Sequence, residues 1–107
     1  MALGAFGAHG LKARLSPDML GLWHTAVQYH AWHALGLLAV GLSIESIWAR
    51  AAGWLLVAGI LLFSGSLYAL ALGAPRGLGI VTPLGGLAFI AGWIAFGIGV
   101  IYARTPA

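Results

Sequence analysis

Leu22 to Leu42, LWHTAVQYHAWHALGLLAVGL, decides how the rest of the chain must be arranged. The stretch is apolar enough to sit in lipid, yet its first half carries His24, Thr25, Gln28, Tyr29, His30 and His33. A polar side chain left unsatisfied in hydrocarbon costs on the order of several kcal/mol, so a helix with this many of them belongs among other helices. With His24 at zero and about 100° per residue, Gln28 falls near 40°, Thr25 near 100°, Tyr29 near 140°, His33 near 180° and His30 near 240°. That arc covers roughly two thirds of the circumference. It predicts contacts on at least two sides of the helix, or a partner chain on one of them.

The rest of the composition agrees with a membrane setting. Of 107 residues, 62% are hydrophobic and 7% charged, where a soluble domain carries about a quarter charged residues. The expectation is one small integral membrane domain over 1–107, all-α, a polytopic bundle of transmembrane helices. A formal charge of +3 does not point to nucleic acid, because Lys12, Arg14, Arg50, Arg76 and Arg104 form no patch and stand at segment ends. The absence of cysteine excludes disulfides, thiolate nucleophiles, c-type haem attachment and cysteine-ligated clusters. Met1 to Ala8 is too short for the charged start and apolar core of a cleavable signal peptide.

Outward from the central stretch, Ser16, Pro17 and Asp18 form a helix-start signature, with Ser16 as N-cap and Pro17 where its missing N–H is harmless. A helix over about 17–43 follows. Before it, Met1 to Gly10 reads as a partial helix over about 1–9, short of the roughly 20 residues that a span needs. After it, SIESIWAR at Ser43 to Arg50 is a surfacing turn, and a second spanning helix runs over about 51–73. Gly65, Ala69 and Gly73 place a small residue every fourth position of that helix, and Ala91, Ala95 and Gly99 do so on the last, over about 80–103. The two stripes are expected to pack together. The last helix is expected to start at Pro83 with Thr82 as its cap, in preference to kinking there. Lys12, Arg14 and Arg76 collect at one end and Arg50 and Arg104 at the other, so the positive-inside rule puts the first end in the cytoplasm by one residue.

Four runs in this order, GAFGAHGLK at Gly4 to Lys12, the WHTAVQYHAWHAL run at Trp23 to Leu35, FSGSLYALAL at Phe63 to Leu72 and TPLGGLAFIAGW at Thr82 to Trp93, resemble a known family over nearly the whole chain. It is the domain of unknown function 423 family of small bacterial inner-membrane proteins, related to eukaryotic transmembrane protein 256. The resemblance implies a four-helix, multi-pass protein of the bacterial inner membrane and no established activity. It also implies a further apolar stretch ahead of the GAFGAHG run, of which only a short or truncated first helix stands here beside three full spans.

Several residue sets invite a chemical reading. His30 and His33, one turn apart with Tyr29 alongside, suit a shared metal or a haem ligand, or proton handling. Against this stands the expectation that they bond backbone carbonyls or the Ser64 and Ser66 hydroxyls of the next helix. Two ligands do not fill a tetrahedral site, and no metal or other cofactor is assigned. With Asp18 and Glu45 the only acids, both at helix ends, cation-coupled transport has no mid-membrane carboxylate. Ser64 and Ser66 lack a nucleophile elbow and an acid to orient a histidine, so no catalytic residue and no enzyme activity are expected. The leading expectation is a non-enzymatic accessory or packing protein, with the lipid bilayer around it and a membrane-protein partner, lipid or a homo-oligomer against its polar helix. The binding set is His24, Gln28, Tyr29, His30, His33, Ser64, Ser66 and Thr82. The alternatives are an oligomeric carrier or proton conductor using the intramembrane histidines, and a haem or metal protein.

Overall fold

The computed structural model describes residues 1–104. It is all helical among those residues, with four helices in chain order. Helix α1 joins an α-helical piece, Ala2–Phe6, to a wider π turn, Gly7–Leu11. Helix α2 is Pro17–Leu42, 26 residues, or about 39 Å at 1.5 Å per residue. Helix α3, Ile47–Ala71, is interrupted by a π segment at Ile60–Ser64. Helix α4 opens with a 3-10 turn, Arg76–Ile80, and continues as an α-helix, Val81–Arg104.

Local chemistry sets the ends. The Ser16 hydroxyl accepts from the Met19 N–H, as the Ser-Pro-Asp signature requires. Helix α3 begins one turn before the expected residue 51, because Ser46 caps it by accepting from the Ala49 N–H at 3.0 Å. Its other end closes on Gly73, the one residue with positive φ among the described residues, at 102°. There the Ala74 N–H reaches Ala69 O and the Gly73 N–H reaches Leu70 O, the two bonds of a Schellman motif, which only a residue tolerant of positive φ closes cheaply. Helix α4 does not start at Pro83. The 3-10 turn carries the chain into an α-helix already under way at Val81. Pro83 fits there because the first-turn N–H groups have no helical partner to lose.

Helices α2 and α4 flank α3 in a layer 14 Å thick in its thinnest direction. The most intimate contact, between α3 and α4, is a glycine seam that shares Gly99 with the expected stripes, beside a buried Ala95, but otherwise uses other residues. A Cβ on Gly85 would overlap the Phe63 backbone, one on Gly92 would meet Leu56 at 2.9 Å, and one on Gly99 would meet Trp48 at 3.1 Å and Ala49 N at 3.6 Å. These three glycines are spaced by seven, and so are Ala49, Leu56 and Phe63 running the opposite way. A seven-residue period keeps a seam facing its antiparallel neighbour, whereas a four-residue period turns away by about 40° per step. Accordingly, a Cβ on Gly65 would reach nothing beyond Ile60 O of its own helix, Gly73 is a cap, and Ala91 is exposed. The π segment then re-aims α3: its first part packs mainly on α4, while Gly65–Ala71 packs on α2. One extra residue per turn rotates everything beyond it, which is how one helix serves two neighbours.

Helices α3 and α4 are long and apolar enough to cross a membrane. Helix α2 is equally long, but its polar first half keeps it outside that set.

Candidate functional site

The polar helix divides its side chains between two sides. His33 is buried, and both its ring nitrogens are engaged. Trp93 Nε1–H, from the middle of α4, donates to His33 Nε2 at 3.0 Å. Indole N–H is a donor only, so Nε2 must be the acceptor, and the proton sits on Nδ1, which donates to the Tyr29 carbonyl at 2.7 Å. The imidazole lies flat on Phe89 with ring centroids 3.5 Å apart. Gly36, one turn on, leaves room for the Trp93 ring, which a Cβ there would meet at 3.0 Å.

His30 takes a different partner. Its Nδ1 is 3.0 Å from the Tyr68 hydroxyl on α3, and the pair borders a groove with Leu3, Val27, Ala31 and Ala34. Tyr68 also packs edge-on to Trp23, whose Nε1–H donates to Leu3 O and so ties α1 to α2. The two histidines one turn apart therefore do not converge. Among the described residues no group of three or more His, Cys, Asp or Glu side chains is placed to hold a metal ion.

The hydroxyls expected to serve the histidines serve other groups. Ser64, fully buried in the π segment, donates to Ala26 O of α2 at 2.9 Å. Ser66 and Thr82 bond each other, joining the far end of α3 to the start of α4. Ser66 also donates to Phe63 O. Thr82, rather than capping a helix, spends its hydroxyl on this link. Thr25 donates back to Gly21 O of its own helix at 3.0 Å. Tyr29 contributes its carbonyl and its ring, which packs on Phe63 at 4.5 Å between centroids.

His24 and Gln28 remain. Both are exposed, on the side of α2 turned away from α3 and α4, and neither makes a hydrogen bond with any described residue. Tyr68 and Trp93, which complete the inner network, stand outside the sequence-derived binding set. A tryptophan far from either end of a spanning helix is itself an indication, since it is not at an interface and its N–H needs a partner.

Residues 3–86 match the sequence profile of a family described as "Protein of unknown function (DUF423)". The chain belongs to the DUF423 family. Relatives of this DUF423 chain carry membrane names. UPF0382 membrane protein YwdK of Bacillus subtilis (strain 168) is 51% identical over 98 residues, covering 88% of this chain and 80% of the relative. UPF0382 membrane protein SH2409 of Staphylococcus haemolyticus is 53% identical over 93 residues, covering 85% and 76%. UPF0382 inner membrane protein YgdD of Escherichia coli (strain K12) is 41% identical over 104 residues, covering 94% and 79%. No solved structure matches the chain. The DUF423 chain is thus a small helical membrane protein.

Proposed function

We propose that this protein is a non-enzymatic accessory protein of the bacterial inner membrane, crossing it several times and holding a membrane partner against the outer face of α2. The carrying observation is the division of that helix's polar groups. His30 and His33 are consumed in joining α2 to α3 and α4, and His24 and Gln28, exposed on the side away from those helices, make no hydrogen bond with any described residue. Catalysis finds no support in the inner set. Ser64 donates to a carbonyl, Ser66 and Thr82 pair with each other, and His33 has no free lone pair with which to act as a base. A proton-carrying row finds none either, because His30 and His33 engage different helices. The inner-membrane name of the Escherichia coli relative supports the placement, and the 26 residues of α2 are long enough for the roughly 30 Å of hydrocarbon with turns to spare.

Native mass spectrometry of the protein extracted with its surrounding lipid tests this reading. The expected result is a discrete mass beyond one chain, lost when His24 and Gln28 are both replaced by leucine. A bare single chain with no added mass counts against it.

A further inference from the structure

His24 and Gln28 begin a row: His24, Gln28, Ala31, Leu35, Leu38 and Leu42 are all exposed on α2. Their spacing alternates between four and three residues, the period of a coiled-coil seam, and the row runs for about 27 Å at 1.5 Å per residue. Gln28 is moreover the twelfth of 26 residues in α2, close to mid-span, where its carboxamide offers two N–H donors and a carbonyl acceptor to a medium that satisfies neither.

We propose that a second copy of this chain packs on this face, with the two α2 helices parallel about a two-fold axis along the membrane normal and the Gln28 side chains bonded to each other. The proposal rests on the partner-binding reading above and names its partner. Copies inserted by one route share one orientation, so an axis along the normal sets each residue opposite itself at equal depth. Gln28 suits that position because a carboxamide is its own complement, donor to acceptor in both directions. Ala31, the next residue in the row, allows the backbones close approach beside the pair. The leucines beyond it are the knobs of the same seam. A partner of other composition would have to present a matching donor and acceptor at that one depth, whereas a second copy does so by symmetry.

The chain has no cysteine, so single introduced thiols report cleanly. With Leu35→Cys oxidised by copper phenanthroline in intact membranes, most of the protein is expected at twice the monomer mass. Leu61→Cys and Ile94→Cys, exposed on α3 and α4, are expected to stay monomeric. Adding Gln28→Leu to Leu35→Cys is expected to cut the dimer fraction several-fold and Gln28→Asn to keep it. Gln28 makes no hydrogen bond with any described residue, so the thermal melting of the monomer should not move with either. Absence of the Leu35→Cys dimer, or a dimer indifferent to Gln28→Leu, overturns the proposal. A benzophenone side chain at position 28 separates this from failure of the broader reading. Photo-adducts at a mass other than twice the monomer overturn the second copy while leaving partner binding in place, and no adduct at all removes both.

Discussion

His33 shows how a titratable residue comes to be structural. Trp93 occupies one nitrogen and the Tyr29 carbonyl the other, so the ring acts as a strut between α2 and α4. His33→Ala leaves the Trp93 N–H without an acceptor and removes the surface stacked on Phe89. It should lower unfolding free energy in detergent by about 3 kcal/mol. Trp93→Phe removes only the donor and should cost about 1–2 kcal/mol. A double-mutant cycle between the two should give a coupling of about 1 kcal/mol, and additivity would show that the bond contributes nothing. At this scale the sequence revealed which residues were polar but not which partners they took. Periodicity places His33 and His30 some 60° apart on α2, which suggests a shared site. Trp93 and Tyr68 separate them by drawing each to a different helix, and contacts across 60 and 38 residues of chain leave no mark in a local pattern.

The same contrast holds for whole helices. The start of α2 was legible because an N-cap, a proline and an acid stand together at Ser16, Pro17 and Asp18. The start of α3 was read a turn late, since Ser46 lies in the polar turn SIES and offers the same chemistry without the proline. Ser46→Ala should cost about 1 kcal/mol through the lost cap, measured as a shift in the unfolding midpoint. The contact between α3 and α4 was misread for a different reason. Small residues abound, 17 of them glycine, so any spacing finds a stripe, and only the facing helix shows that the period of seven matters. Gly85→Ala drives a methyl into the Phe63 backbone, which cannot rotate away. It should destabilise by about 3 kcal/mol or more, while Gly77→Ala, facing open space, should stay within about 0.5 kcal/mol. Equal tolerance at both positions would disprove the seam. The π segment was illegible altogether, because ILLFS at 60–64 is ordinary helix-forming sequence and its wider turn answers a tertiary demand, the need to face α4 first and α2 afterwards.

For the molecule as a whole, charge and helix length together dictate how it sits. Helix α3 has 25 residues and crosses from the Ser46 turn to the Pro75 turn, a distance of about 37 Å, more than the roughly 30 Å of a bilayer core. Its outward side chains, such as Trp54 and Leu61, are large and apolar. Lying flat on the surface would expose them to water, so the two turns are expected on opposite faces of the membrane. Helix α2 returns from the turn at 43–46 to the end that holds Lys12 and Arg14, the end to which Arg76 also belongs. Three basic residues there face Arg50 and Arg104 at the other end, and the ion pair of Arg50 with Glu45, 2.7 Å and exposed, does not alter the balance because acidic residues contribute little to orientation. The end with Lys12, Arg14 and Arg76 is therefore expected in the cytoplasm. Single cysteines at Ala13, Ser46 and Pro75, introduced one at a time, should be tested in intact cells with a membrane-impermeant maleimide. Labelling at Ser46→Cys alone, with Ala13→Cys and Pro75→Cys reacting only after permeabilisation, is the expected outcome. The reverse pattern would fit three crossings with the molecule inverted, whereas labelling Ser46→Cys and Pro75→Cys from the same side would mean that α3 does not span.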